Sequence, residues 1–360
     1  MAYHTTPYLL LFLPAALLFY QITPAKWRSY TLLIFSYLFF WSFSEKLIIY
    51  LIGTTFLTHH ICIWMDTMDK RDKRKKRVFQ LGILLLLGTI LCLKYRNFFF
   101  GNVSKLAMVL HIDWSYQDQL IFLPIGISFY TLSAIGYMAD VYWGKVKAEY
   151  SLVKTALFLG FFPVIVEGPI CRWEDVEDTL FKNESVKAEN VFKGCYRIIW
   201  GLFKKMIIAD RLAVLVDKVY VGYESYSGAV IVVAAISYTI QLYMEFSGCM
   251  DMVIGSAGLF GIRLPENFSQ PFFAKTCTDF WKRWHITLGV WFKNYIFYPV
   301  SISKTARKWN KFTRKHFKGD FGKYVARMGI AAMALFPVWI SNGLWHGPKW
   351  NYIFYGLYYF

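Results

Sequence analysis

Negative charge is scarce in this chain: 23 Asp and Glu stand against 40 Lys and Arg in 360 residues, and charged residues of both signs make up only 18%. Soluble domains carry roughly 25%, so the pair of soluble domains that the length alone suggests is not expected. Paired-cysteine chemistry is missing too. Cys62, Cys92, Cys171, Cys195, Cys249 and Cys277 include no CxxC spacing, and most lie in apolar stretches. They read as small buried hydrophobes, not as a disulfide framework or a zinc site. There is no Walker loop, no GxSxG elbow, no HExxH and no sustained internal repeat. His59 and His60 are adjacent and cannot both face one site on a helix, so no metal centre is expected; His111 and His316 receive no role. The first residues lack a basic n-region and a small-x-small cleavage site, so they are not expected to be a cleavable signal peptide.

Apolar surface is abundant: 56% of residues are hydrophobic, 20% are aromatic and the mean hydropathy is +0.36. That composition suits a protein whose outer face meets lipid and headgroups. A helix needs about 20 apolar residues to cross about 30 Å of hydrocarbon. Uncharged stretches approaching that length run from the N-terminus to Pro24, Ser29 to Ser44, Leu47 to Met65, Val78 to Leu93, Gln119 to Ala139, Ser225 to Met244 and Met328 to Pro348. The fold class is therefore an all-α polytopic membrane protein.

The net charge of +17 is concentrated between these stretches, in Lys70 to Arg77 and in Lys304 to Lys318. Nucleic-acid binding would need a folded basic module, and these segments are too short for one, so no nucleic-acid partner is expected. As cytoplasmic loops they obey the positive-inside rule. With 70–77 inside, the third stretch runs inward, Lys26 and Arg28 fall in the cytoplasm, Lys145 and Lys147 do likewise, and the N-terminus lies outside. Residues 155–210 mix Pro163, Gly168 and Pro169 with several bases and do not read as clean spans. Re-entrant or interfacial backbone is expected there, because non-helical chain survives at membrane depth only where protein or a cavity satisfies it.

Polar residues within apolar segments are the candidates for chemistry, since ionisable groups are costly there. His346 ends a long uncharged run, flanked by Gly343 and Gly347, whose spacing allows close helix packing. An imidazole there can take a proton from an alcohol; the alternative is a structural ring tied to a backbone carbonyl. On a helix, Trp281, Trp284, His285 and Leu288 share one face, with Lys282 and Arg283 turned toward phosphates or headgroups. An interfacial helix with Trp anchors and snorkelling bases is the structural alternative. Glu245 and Asp251 place carboxylates in an apolar stretch, either for chemistry or for salt bridges to neighbouring helices. Phe161 to Ile170, with Glu167, breaks any helix and forms either a turn beside a cavity or a simple loop.

These pieces resemble the membrane-bound O-acyltransferase (MBOAT) family, in its alginate O-acetylation and teichoic-acid D-alanylation branch. The matching stretches occur in order: Leu123–Tyr130, Phe161 to Ile170 with Arg172, Phe246-Ser-Gly248 with Asp251, Leu264-Pro-Glu-Asn-Phe268, Asp279–Leu288, and Gly343-Leu-Trp-His-Gly347. Phe-Ser-Gly with Asp251 looks closer to the alginate type. Lys293-Asn294 stands where the family often has Arg-Asp, and Glu167 where a small or neutral residue is common.

The resemblance implies a ring of helices with re-entrant segments around a central funnel. It divides the chain into N-terminal transmembrane helices, 1–118, and a catalytic core, 119–360, and a natural chain is expected to continue beyond Phe360. It implies His346 as the catalytic residue and His285 as the second polar position of the core. Trp345, Asn342, Trp284, Arg283, Lys282, Asp251 and Glu167 are the expected substrate-binding residues. No bound cofactor is expected, only an acyl thioester co-substrate: acetyl-CoA or an acyl-carrier protein on the cytoplasmic side. The acceptor would be a hydroxyl of an extracellular cell-envelope polysaccharide or an acyl-accepting partner protein, reached directly or by relay. Membrane lipid is the remaining partner, and the location a bacterial plasma membrane. D-Alanyl transfer to teichoic acid is the nearest alternative. A transporter or flippase of an acylated or lipid-linked intermediate is the alternative of a different class.

Overall fold

The computed structural model describes residues 2–69 and 71–360, so Met1 of the first apolar stretch and Lys70 of the basic run lie outside the described residues. Along the chain run α1 (Leu13–Ile22), α2 (Arg28–Ser44), α3 (Ile48–Asp66), α4 (Lys73–Ile90), α5 (Arg96–Val109), α6 (Ile127–Trp143), α7 (Leu152–Gly160), α8 (Trp173–Leu180) and α9 (Ala188–Leu202). There follow α10 (Asp210–Val221), α11 (Gly228–Leu259), α12 (Cys277–Arg283), α13 (Ile286–Phe292), α14 (Tyr298–Ser301), α15 (Lys304–His316), α16 (Gly319–His346) and α17 (Trp350–Tyr359). Among the described residues there is no strand, only an isolated antiparallel bridge between Phe268 and Trp284. Among the described residues, four helical runs are long and apolar enough to cross a membrane: Ala25–Asp66, Lys73–Val109, Gly228–Leu259 and Gly319–His346. The large apolar residues exposed along them, such as Ile34, Leu84, Val232 and Met328, would be a liability in water and suit a lipid-facing surface.

One compact unit comprises residues up to Lys75 together with Pro124–Thr287. Its densest packing is α9 against α11. Cβ atoms added at Gly201 and Gly248 would stand 2.5 and 2.8 Å from each other's carbonyl oxygens, and at Gly194 and Gly255 2.8 Å from each other's. Glycines seven residues apart on both helices thus let the backbones touch, as small residues do where lipid offers no hydrophobic drive between helices. Beside them, Tyr3, Tyr8, Phe12, Phe39 and Phe162 form an aromatic core, and the Tyr8 hydroxyl donates to Ser256 Oγ at 3.0 Å.

The expected irregular backbone is present at 161–172, where Phe161, Phe162, Ile165, Ile170 and Cys171 are buried although non-helical. Side chains satisfy it. Phe162 N–H donates to Ser36 Oγ at 3.1 Å, Phe162 C=O accepts from the Tyr3 hydroxyl at 3.0 Å, and Ile170 N–H donates to Thr287 Oγ1 at 3.0 Å. One expected span is corrected here. The stretch from Gln119 is not helical until Ile127, because Pro124 and Gly126 turn the chain first. Gly126 has φ +77°, and a Cβ there would lie 1.8 Å from Ile165 C=O, so the turn is pinned against the buried loop.

The second unit comprises Lys76–Leu123 and Leu288–Phe360. α4 and α5 join through a π-helical turn, Leu91–Tyr95. α15 carries the second basic run, which is a helix and not a loop: Ala306 and Thr313 are buried, and Ser303 caps its start by accepting from Ala306 N–H at 3.2 Å. α16 and α17 form an antiparallel hairpin whose tight turn, 347–349, follows His346 directly.

Candidate functional site

His346 is the last residue of α16. The four C-terminal carbonyls of any helix lack an intrahelical partner, and here two of them are taken by side chains from the π-helical turn. Lys94 Nζ donates to Trp345 C=O at 2.6 Å, and the Tyr95 hydroxyl donates to Leu344 C=O. On its other side the terminal turn meets α17. Cβ atoms placed at Gly343 and Gly356 would lie 2.2 Å from Tyr352 C=O and 2.5 Å from Trp339 C=O, so the two helices cross backbone to backbone. The close approach expected from Gly343 is therefore present. The crossing brings the His346 ring 5.9 Å from Tyr352, nearly parallel, and 5.6 Å from Tyr355, edge-on. His346 is exposed, and its ring makes no hydrogen bond among the described residues, unlike a structural histidine tied to a carbonyl. Asn342, one turn earlier, is buried, and its Oδ1 has no partner among the described residues.

His285 lies in the first unit, and the expected helix through it is corrected. α12 ends at Arg283, Trp284 is extended, and His285 takes φ +47° before α13 begins, so Trp281, Trp284, His285 and Leu288 do not share a helical face. The cause is Asn267, fully buried in the Leu264–Phe268 stretch. Its Oδ1 accepts from Thr287 N–H at 3.1 Å and from the Thr287 hydroxyl at 3.0 Å, and it lies 3.1 Å from His285 Nδ1. Its backbone C=O accepts Ile286 N–H at 3.0 Å. Because a backbone N–H donates to Oδ1, the amide orientation is fixed and the atom facing Nδ1 is an acceptor. Nδ1 therefore carries a proton directed at Asn267 Oδ1. Phe246 stands edge-on to the imidazole at 4.8 Å, and Trp284 stacks on Phe280 at 5.7 Å.

Phe246, Cys249 and Met250 form one face of α11, which gathers His285, Glu167 and Asn267. Phe246 meets His285, Cys249 Sγ lies 3.6 Å from Glu167 Oε2, and Met250 Sδ accepts from Asn267 Nδ2 at 3.1 Å. Burial pushes the Glu167 carboxyl above its ordinary range, while the Cys249 thiol and then Lys205 pull it down. Asp251 faces elsewhere. It pairs with Arg197 at 3.1 Å and Lys204 at 2.6 Å, while Arg197 also grips Glu266 and Lys205 pairs with Glu245 at 2.7 Å. Both α11 carboxylates thus serve as ion-pair partners of the segment 197–205. Arg283 binds Asp279 at 2.9 Å, and that guanidinium holds the Asp279 carboxyl below its usual value; Lys282 is exposed. Asn267, Lys94 and Tyr95 were missed from sequence. Lys94 carried a signal as a cation one residue beyond an uncharged apolar stretch, and Asn267 as part of the Leu264–Phe268 stretch that carries the resemblance.

With this geometry in hand, the comparisons are specific. The MBOAT, membrane-bound O-acyltransferase family profile matches residues 145–315. A probable alginate O-acetylase AlgI of Pseudomonas putida is 32% identical over 356 residues, covering 99% of this chain and 68% of that protein. A peptidoglycan O-acetyltransferase of Helicobacter pylori is 28% identical over 389 residues, covering 99% and 68%. A teichoic acid D-alanyltransferase of Bacillus subtilis is 29% identical over 240 residues, covering 65% and 56%. The chain spans about two thirds of the length of the AlgI-type relatives, 68% of one and 64% of another. The chain belongs to the membrane-bound O-acyltransferase family, and with its apolar helical runs it is a multi-pass membrane protein.

Proposed function

We propose that this protein moves an acetyl group from a cytoplasmic thioester, acetyl-CoA or an acyl-carrier protein, to a hydroxyl of a cell-envelope polysaccharide or of an acyl-accepting partner protein, with His346 as general base. The observation that carries this reading is the exposed His346 ring, free of hydrogen bonds among the described residues, on a helix end that side chains hold in place. In the reaction the imidazole takes the hydroxyl proton as the oxygen attacks the thioester carbonyl. The C–O bond forms, the C–S bond breaks, and the proton leaves with the thiol. The basic segments, taken as cytoplasmic, support a reading with the N-terminus outside and donor entry from inside. Acetyl is favoured because the relatives named for acetylation cover 99% of the chain, against 65% for the D-alanyltransferase. His285 would stabilise charge on the donor carbonyl in its doubly protonated form, since its Nδ1 proton is held by Asn267 and only a second proton lets Nε2 donate.

The test uses reconstituted full-length protein supplied with labelled thioester donors one at a time. Wild type transfers acetyl label to a purified acceptor, and His346→Ala transfers none while inserting and folding normally. Acylation by His346→Ala at the wild-type rate removes the assignment. Label transferred from a D-alanyl donor alone selects the D-alanylation reading, and movement of an intermediate without transfer selects a transporter.

A further inference from the structure

Lys94 is not explained by acyl transfer as such. Its half-buried ammonium lies within the apolar helical run Lys73–Val109, where a charge is costly. A methionine of similar length would fill the same space without that cost. The ammonium instead donates to Trp345 C=O at 2.6 Å and lies 5.8 Å from the Trp345 ring and 5.9 Å from the Tyr95 ring, within cation–π range. Tyr95, the next residue, takes the adjoining carbonyl, that of Leu344. Two consecutive side chains thus hold two consecutive carbonyls in the turn that carries His346. They come from a π-helical turn, Leu91–Tyr95, whose extra residue turns the following side chains by about 100°. Such turns are often found at functional sites.

We infer that Lys94, aided by Tyr95, is a positioning residue: it clamps the last turn of α16 so that the His346 imidazole keeps one orientation against Tyr352 and Tyr355. The inference rests on the proposed role of His346. Without the clamp two carbonyls are released at the helix end, the turn frays, and the ring samples orientations unsuited to proton transfer. Arginine can reach the same carbonyl; methionine cannot bond to it.

Full-length wild type, Lys94→Met, Lys94→Arg and His346→Ala are compared in reconstituted membranes. Lys94→Met is expected to lower kcat about 10- to 100-fold with the donor KM unchanged, since small misplacements near the chemistry cost that much. Lys94→Arg is expected to recover most of the loss. Amide exchange in residues 343–349 should quicken in Lys94→Met and not in Lys94→Arg, a readout independent of catalysis. Lys94→Met with kcat within twofold of wild type, or with unchanged exchange, overturns the inference, as does a loss confined to KM, which would make Lys94 a donor-binding group. An active His346→Ala removes the proposed function instead, whatever the exchange data show.

Discussion

Replacing Gly343 by alanine adds one methyl group, and the structure fixes where it goes. The new carbon would lie 2.2 Å from Tyr352 C=O and 3.2 Å from its carbonyl carbon. An ordinary carbon–oxygen contact is about 3.3 Å, so α16 and α17 must separate locally by about 1 Å. Both sides of the clash are main chain, and no rotamer relieves it. Overpacking of this kind costs about 1–3 kcal/mol. It also displaces Tyr352 and Tyr355, the two rings against which His346 rests. A displacement of about 1 Å near the reacting atoms lowers a rate by about 100-fold. Gly343→Ala is therefore expected to reduce acyl transfer at least 10-fold in membranes normalised for folded protein by size-exclusion chromatography. Two other glycines supply the scale. A Cβ at Gly53 meets nothing within 4 Å, so Gly53→Ala should leave the rate unchanged. A Cβ at Gly347 meets Tyr352 ring carbons at 2.8 Å, and a ring can tilt, so that variant should fall between the two. Wild-type turnover by Gly343→Ala, or a loss as large in Gly53→Ala, refutes the argument.

Asn267→Ala removes the acceptor shared by Thr287 and His285; each buried donor left unpaired costs about 1–3 kcal/mol, so the thermal midpoint in detergent should fall by several degrees and turnover with it, as in His285→Ala. A midpoint within a degree of wild type would show that the amide is not holding this bend. Asp251→Asn leaves Lys204 without its carboxylate in a largely buried place and should destabilise by roughly 3 kcal/mol. Adding Lys204→Met should restore part of that loss, because Arg197 keeps Glu266; a double variant no more stable than Asp251→Asn contradicts this.

The fold class was legible because its cause is compositional: uncharged runs near 20 residues, separated by bases, leave a chain few alternatives to helices in lipid. The boundaries were less so. Ser225 to Met244 reads as a span that stops before Glu245, yet α11 continues to Leu259, since Lys205, Arg197 and Lys204 neutralise the carboxylates that end the apolar run. Those partners lie 40 or more residues away in the sequence, and no local pattern announces the pairing. The helix read through His285 failed for a related reason. The period of Trp281, Trp284, His285 and Leu288 is helical, but Asn267 supplies tertiary hydrogen bonds at the one residue where the chain turns aside.

Both candidate histidines stand where a helix stops, and there is a physical reason for it. Within a packed helix the backbone is satisfied by itself, and only side chains can orient a ring. At an end, free N–H and C=O groups become handles. At His285 a distant residue, Asn267, takes the Ile286 N–H with its backbone carbonyl and the Thr287 N–H with its side-chain oxygen, which also faces the ring beside them. At His346 a distant ammonium and phenol take the carbonyls of Trp345 and Leu344 and hold the turn beneath the ring. The donor is a side chain in one case and the acceptor in the other, as the polarity of a helix start and a helix end requires. The His346 ring is exposed beyond its helix and the His285 ring is buried, yet in both the backbone beneath is constrained by hydrogen bonds to a distant residue. The partners that supply the constraint should therefore be as intolerant of substitution as the histidines themselves, and a saturation scan of Lys94 and Asn267 scored by acylation would show whether they are.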